Sequence, residues 1–394
     1  MNTTSIEWAT HSASYQAGCT KVSAACTHCY AIPQSARLAR MGPSRYATVA
    51  VHAAGSPARW TGQVTVDYAA MARIFHDLER SKQPRRLFLN SMTDTFHASV
   101  PPAALRALAS DLRSVAARHV VMLLTKRADR LLAFQRAHFP EGLPTPVWVG
   151  VTAEDLPTLN ERAPLLLETL AHVRFLSCEP LLGSLSRWPE SGLRSDWSTL
   201  RGYLMKHELA GRCARCGRGH GFTRCPNYGG VVPTRSGAAH HDGIDCAGFV
   251  HRTGLDAGIQ WVITGGESGP SARPTPPVWF REVRDACAAA GVAYFHKQNG
   301  VYGPNAEDMT TGAPAYREFT SETNWVNKAR TWMQEGDLVF DRFGQPLRNG
   351  GEFMDATARE AYPAVILRKI GKAAAGRLLD GVLHHAMPGV SDGA

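Results

Sequence analysis

The chain reads as an α/β protein built on a parallel sheet, and two observations lead there. Short apolar runs recur through most of its length, and stretches with helical spacing lie between them. Near-continuous apolar runs belong to strands covered on both faces. Regular alternation of such strands with helices is the pattern of a parallel sheet, barrel or open.

Taken in order, Arg86–Asn90 (RLFLN), Val120–Thr125 (VVMLLT), Val147–Thr152 (VWVGVT) and Arg174–Ser177 (RFLS) read as buried strands. So do Trp261–Thr264 (WVIT) and Ala293–Lys297 (AYFHK). A further strand is expected just before Cys19 and a helix over Asp67–Ser81. Leu105, Leu108, Leu112 and Val115 keep helical spacing, as do Val283, Ala286, Cys287 and Ala290. The alternation breaks twice. Residues 183–258 are rich in Gly, Arg, His and Cys and read as an insertion, while 300–360 are polar with no clear period. Ala364–Leu367 then reads as a strand, followed by a helix near Gly371–Leu379. The expected organisation is a first part of the α/β body (1–182), a Cys-rich insertion (183–258), its last part (259–300) and a C-terminal extension (301–394).

At 394 residues, 44% hydrophobic and 20% charged, the chain is of ordinary globular composition and needs no disulfide staples for its core. No apolar run approaches the ~20 residues that span a bilayer. The first residues lack the basic-then-apolar order of a secretory leader. The expectation is a cytoplasmic protein without membrane attachment. A net charge of +9 favours a polyanionic partner such as nucleic acid.

Seven of the nine cysteines fall into two tight clusters, an arrangement of metal sites rather than of disulfides. Cys19, Cys26 and Cys29 follow the spacing C-x6-C-x2-C. Three thiolates on one loop can hold three irons of a [4Fe–4S] cubane and leave the fourth open to a small molecule. A zinc site completed by His28 or His11 has the same spacing. In the second cluster Cys213, Cys216, Cys225 and Cys246 suggest a structural zinc, with His220, His240 or His241 as substitutes and an auxiliary iron–sulfur cluster as the rival. Arg212, Arg215, Arg218 and Arg224 flank it and suit phosphates or a solvated face.

In a parallel barrel the chemistry sits at the C-terminal strand ends. Those ends carry Asp94, Lys126, Glu154, Cys178 with Glu179, Glu267, and Lys297 with Gln298. Asp94 and Asp155 also stand where helix N-caps would. Cys178 is either a hydrogen-atom donor or a buried core thiol.

Several segments carry a family resemblance. Gly18–Ser23 (GCTKVS), Asn90–His97 (NSMTDTFH), Leu124–Arg127 (LTKR), Ser177–Gly183 (SCEPLLG), Gly265–Gly269 (GGESG) and Lys372–Gly381 resemble, in order, the phage-associated three-cysteine-motif family of uncharacterised proteins. More distantly the chain resembles radical S-adenosylmethionine enzymes, nearest to spore photoproduct lyase. That resemblance implies a partial TIM-type barrel with the zinc-binding subdomain inserted, and a [4Fe–4S] cluster on Cys19, Cys26 and Cys29. It implies S-adenosylmethionine held by Tyr30, Ser91, Asp94, Thr125 and Lys126, and cleaved to a 5′-deoxyadenosyl radical. It further implies catalytic roles for Cys178, Glu179 and Glu267, and an electron donor such as flavodoxin or ferredoxin. The substrate it implies is a nucleic acid base, in lesion repair or DNA modification. Two features depart from the superfamily: the first cysteine spacing is wider, and Gly265-Gly266-Glu267 follows a late strand, which turns Glu267 toward substrate. The alternative function is a non-catalytic, zinc-containing nucleic-acid-binding protein.

Overall fold

The computed structural model describes residues 1–186, 199–205 and 258–389 except positions 43, 54, 308, 311 and 313, with the backbone of segments 211–213, 240–241, 244–245 and 249–251. Its architecture is mixed α/β around a largely parallel sheet. Eight strands follow one another across that sheet in chain order. They are β1 (Asn2–Thr3), β2 (His11–Ala13), β3 (Arg86–Leu89), β4 (Val120–Thr125), β5 (Val147–Thr152), β6 (Val173–Cys178), β7 (Trp261–Gly265) and β8 (Ala293–Gln298). β1 is antiparallel to β2, and every neighbouring pair from β2 to β6 is parallel. All positions of β5 and β7 are buried, which is why these runs lack a polar alternation.

Helices separate the strands: α1 (Ala31–Arg40), α2 (Tyr68–Arg80), α3 (Pro102–Arg113), α4 (Ala128–His138), α5 (Leu156–Glu168) and α6 (Pro277–Ala290). The helix expected over Asp67–Ser81 is α2, with Asp67 accepting from the Ala70 amide at 2.8 Å as its N-cap. The start of α6 is set by Pro276 and Pro277, and its end by Gly291 in the left-handed region (φ 65°). The strand expected before Cys19 is a two-residue ladder, Gln16–Ala17 against Thr65–Val66, outside the main sheet and antiparallel.

The chain forms two compact units, residues 1–153, 157–177 and 195–261 in the first and 154–156, 178–194 and 262–394 in the second. They interleave along the chain. In the first unit Trp261 is the hub of an aromatic core, 6.0 Å from Trp8, 6.0 Å from Trp148 and 5.5 Å from Phe175 between ring centroids. Gly150 of β5 leaves its Cβ position to the Phe175 ring.

In the second unit the polar 300–360 stretch is far from structureless. Strands β9 (Tyr302–Gly303), β10 (Glu318–Phe319), β11 (Leu338–Phe340), β12 (Pro346–Leu347) and β13 (Ala364–Lys369) form an antiparallel sheet, with β13 central. Helices α7 (Glu322–Trp332) and α8 (Gly350–Ala358) pack on it, and Trp325 stacks on Phe353 with centroids 4.2 Å apart. Two- and three-residue strands are too short to show a period. The caps are legible: Ser321 accepts from the Asn324 amide, and Asn349 from the Glu352 amide, while the Glu352 carboxylate accepts from the Arg348 amide. The helix expected near Gly371–Leu379 is corrected to the single turn Lys372–Ala375. Gly376 (φ 66°) stops it, and Leu378–Leu379 turns back on Val382–Leu383 as a hairpin.

β8 carries a buried relay in this unit. His296 Nε2 donates to Asn299 Oδ1 at 3.0 Å, because the Asn299 amide nitrogen is committed to the Ala375 carbonyl at 2.7 Å. His296 Nδ1 then accepts from Thr264 Oγ1 at 3.0 Å. Burial pushes the imidazole down to about 4, against the hydrogen bond it donates to Asn299. A depressed folded value gives stability that is complete above the ordinary value and fades as pH falls toward the folded one. Across that window, from about 6.5 to about 4, the loss is roughly 3 kcal/mol. Urea unfolding at pH 7 and pH 4.5 should show a smaller drop for His296→Gln than for the native chain; parallel drops would contradict it.

Among the described residues no helix is long and apolar enough to cross a membrane. Cys216, Cys225 and Cys246 lie outside the described residues, and of Cys213 only the backbone is described.

Candidate functional site

The three-cysteine loop of the first unit runs from Gly18 to Tyr30, where α1 begins. Gly18 (φ 93°) puts its Cβ position onto the Gln63 carbonyl, so the loop needs glycine at its entry. The buried Gln16 side chain donates to the Asp94 carbonyl at 2.7 Å and to Thr93 Oγ1 at 3.2 Å. Thr93 donates in turn to the Gly18 carbonyl. At the far end the Tyr30 hydroxyl donates to the Ser91 carbonyl at 2.6 Å. The loop is thus tied at both ends to the turn that follows β3. Asn90 opens that turn in the left-handed region (φ 59°), its side chain bridging the Tyr15 amide and Thr95 Oγ1.

Asp94 organises the corner. Oδ1 accepts from the Phe96 amide at 3.0 Å and Thr125 Oγ1 at 2.7 Å. Oδ2 accepts from the Lys126 amide at 3.2 Å and Arg127 Nη1 at 2.7 Å. Four donors fill the carboxylate, whose side chain is only 8% exposed. Asp94 is therefore no helix cap (α3 begins at Pro102, with Pro101 at its N-cap), and its oxygens are already taken by the protein. What it positions is Arg127. That guanidinium lies 4.0 Å from Cys19 Sγ and donates to Thr20 Oγ1 at 2.9 Å. His97 Nδ1 accepts from the Ser99 amide at 3.1 Å, so Nε2 is the donor to Thr20 Oγ1 at 3.0 Å. Lys126 donates from Nζ to Thr152 Oγ1 at 3.2 Å.

Cys19, Cys26 and Cys29 are all half-buried. Burial, with the Asp94 carboxylate, pushes the Cys19 thiol up to about 11 against the pull of Arg127. Burial raises Cys29 as well, with Cys26 adding to it and Lys126 opposing. Cations thus adjoin both ends of the cysteine set. Among the described residues no three Cys, His, Asp or Glu side chains converge closely enough to make a metal site. The donor set itself fits a thiolate-bound metal: three soft ligands on one loop, two with basic neighbours. Arg127, Thr20, His97 and Gln16 were not singled out from sequence, although the first three lie within the Leu124–Arg127, Gly18–Ser23 and Asn90–His97 segments that carry the resemblance.

The second unit holds the remaining strand-end candidates. Glu267 accepts from the Arg273 amide and Nε at 2.8 Å each through Oε2, and from Nη2 at 2.6 Å through Oε1. Glu154 is completely buried. Lys297 Nζ stands 3.1 Å from Glu179 Oε1, off the hydrogen-bonding direction, so the contact is one of charge and Oε1 carries no hydrogen bond. Cys178 is fully buried among Cys287 and Tyr294, and burial keeps its thiol protonated far above the ordinary range. That is the environment of a core thiol.

Three glycines let these segments meet. A Cβ on Gly265 would reach Glu179 Oε1 at 2.7 Å, and one on Gly300 (φ 91°) the Glu267 carbonyl at 2.6 Å. A Cβ on Gly266 would strike the Asn299 carbonyl, which is backbone and cannot swing away. Gly266→Ala should therefore cost about 1–3 kcal/mol in urea unfolding; an unchanged midpoint would mean that the two backbones separate freely.

A model of a family described as a protein of unknown function (DUF5131) matches residues 3–388. No curated protein and no solved structure matches the chain. Matched over nearly its full length, the chain belongs to this family of unknown function.

Proposed function

We propose that the chain is a radical S-adenosylmethionine enzyme acting on a nucleic acid base, in lesion repair or base modification. The observation that carries this reading is the half-buried three-thiol loop, with Arg127 beside Cys19 and Lys126 near Cys29. The eight-stranded, largely parallel sheet is in this reading the wall of a partial barrel, with its chemistry at the strand ends.

Cys19, Cys26 and Cys29 would hold a [4Fe–4S] cluster, which when bound supplies one-electron reduction and an open iron for the methionine group of the cosubstrate. The chain's own residues do the rest. Arg127, fixed by Asp94, sets positive charge against the thiolate side. Lys126, anchored on Thr152, offers its ammonium to a carboxylate. Tyr30, 61% exposed, is an aromatic face for adenine at the loop's end. Ser91 holds the Tyr30 hydroxyl through the backbone carbonyl, and Thr125 donates to the Asp94 carboxylate. A cytoplasmic setting suits this chemistry, with reduced thiols, a flavodoxin or ferredoxin as electron donor and zinc on the second cysteine cluster.

The test is anaerobic. Purified protein should be brown, contain iron and sulfide, and form 5′-deoxyadenosine from S-adenosylmethionine under dithionite. Colourless protein holding zinc at this loop and forming no 5′-deoxyadenosine would sink the reading.

A further inference from the structure

We propose that Glu179 and Lys297 form a recognition dyad for a cyclic amide edge of a nucleobase, the ring N–H passing to Glu179 and the adjacent carbonyl accepting from Lys297. The inference rests on the nucleic acid substrate proposed above and names what part of it this site reads.

The dyad differs from the other charged groups around it. Asp94 accepts from four donors and Glu267 from three, so their carboxylates are occupied. Glu179 accepts no hydrogen bond among the described residues, although its side chain is only 14% exposed. Lys297 is 22% exposed, and its ammonium brings three N–H groups to a single charged neighbour. Glu179 Oε1, 3.1 Å from the ammonium, is itself buried against Gly265, so Oε2 is the oxygen left to accept beside a half-sheltered donor.

The surroundings fix that pair in place. Gly265 leaves the space that Glu179 Oε1 occupies. The neighbouring Gln298 amide is spent on the backbone: Nε2 donates to the Gly266 carbonyl at 2.6 Å, and Oε1 accepts from the Gly300 amide at 2.6 Å. Among the described residues there, the dyad keeps its hydrogen-bonding capacity.

Its chemistry selects the ligand. A carboxylate only accepts and an ammonium only donates, so the complement must carry one donor beside one acceptor. The pair is neutral as a unit and gives a phosphate no net attraction. A cyclic amide presents N–H and C=O one bond angle apart on a rigid plane, so both bonds form at once without ordering the ligand. Carboxylates and lysines are the partners that base N–H and oxygen groups find in nucleic acid recognition, and enzymes acting on bases read their Watson–Crick edge.

The experiment uses the full chain without added metal and measures nucleoside binding by saturation-transfer NMR. Inosine should bind about tenfold or more tightly than 1-methylinosine, and uridine likewise against 3-methyluridine, since methylation replaces the ring N–H with a group that cannot donate. Glu179→Ala and Lys297→Met should bring inosine down to the level of its methylated form. Equal affinity of the methylated and plain nucleosides, no binding of either, or displacement of inosine by inorganic phosphate overturns the dyad. The measurement needs neither iron nor S-adenosylmethionine. Discrimination in protein that never cleaves the cosubstrate would uphold the dyad while the redox reading fails, and active protein blind to methylation would sink the dyad alone.

Discussion

Alanine at Cys19, Cys26 or Cys29 is expected to strip the protein of most of its iron and of all S-adenosylmethionine cleavage. Two thiolates on a half-buried loop cannot hold a cubane with one iron left open, because a second iron would also lack a protein ligand. Iron and sulfide analysis after anaerobic reconstitution, with 5′-deoxyadenosine as the product readout, reports both losses. Cys178→Ala is the matched control: it removes a thiol buried beside Cys287 and should leave iron content at the native level. Variants of the loop that keep their iron, or a Cys178 variant that loses it, would move the cluster elsewhere.

Asp94→Ala should produce the largest loss of stability of any single change at the corner. It leaves Arg127, 11% exposed, without its carboxylate, and strips acceptors from Thr125 Oγ1 and two backbone amides. Removing one partner of a buried pair costs about 3–5 kcal/mol, since the remaining charge stays desolvated. Urea unfolding of the metal-free protein measures this directly. Native-like stability together with weakened cosubstrate binding would instead make Asp94 a ligand-facing group, as the sequence resemblance implied.

Six strands of the large sheet were legible because burial writes itself as unbroken apolar runs, and Val120–Thr125 and Val147–Thr152 match their strands end to end, whereas the exposed or half-buried β1 and β2 were not. The α2 helix was legible from Asp67 and its periodic apolar face. The C-terminal sheet was not, since strands such as Pro346–Leu347 bury single side chains against aromatics from distant helices. The glycine stop at Gly376 was visible as a residue but not as a left-handed turn. At the candidate site, sequence picked out the three cysteines and the strand-end acids by residue type. It could not tell spent carboxylates from unspent ones. Asp94, Glu267 and Glu179 look alike in sequence, and only their partners separate a staple, a locked ion pair and a carboxylate that accepts no hydrogen bond among the described residues.

The four-donor carboxylate of Asp94 also decides when order is acquired. The β3 turn, the end of β4 and the Arg127 side chain converge on one buried group, so their conformational entropy is lost as the chain folds. A ligand arriving at the cysteine loop meets a cation already held in its rotamer. Affinity there is spared the cost of fixing a long flexible side chain, about 0.5–1.5 kcal/mol in a typical encounter. The same arrangement removes the freedom to adapt: with Arg127 held, selectivity at that corner rests on fit to a fixed charge rather than on closure around whatever enters.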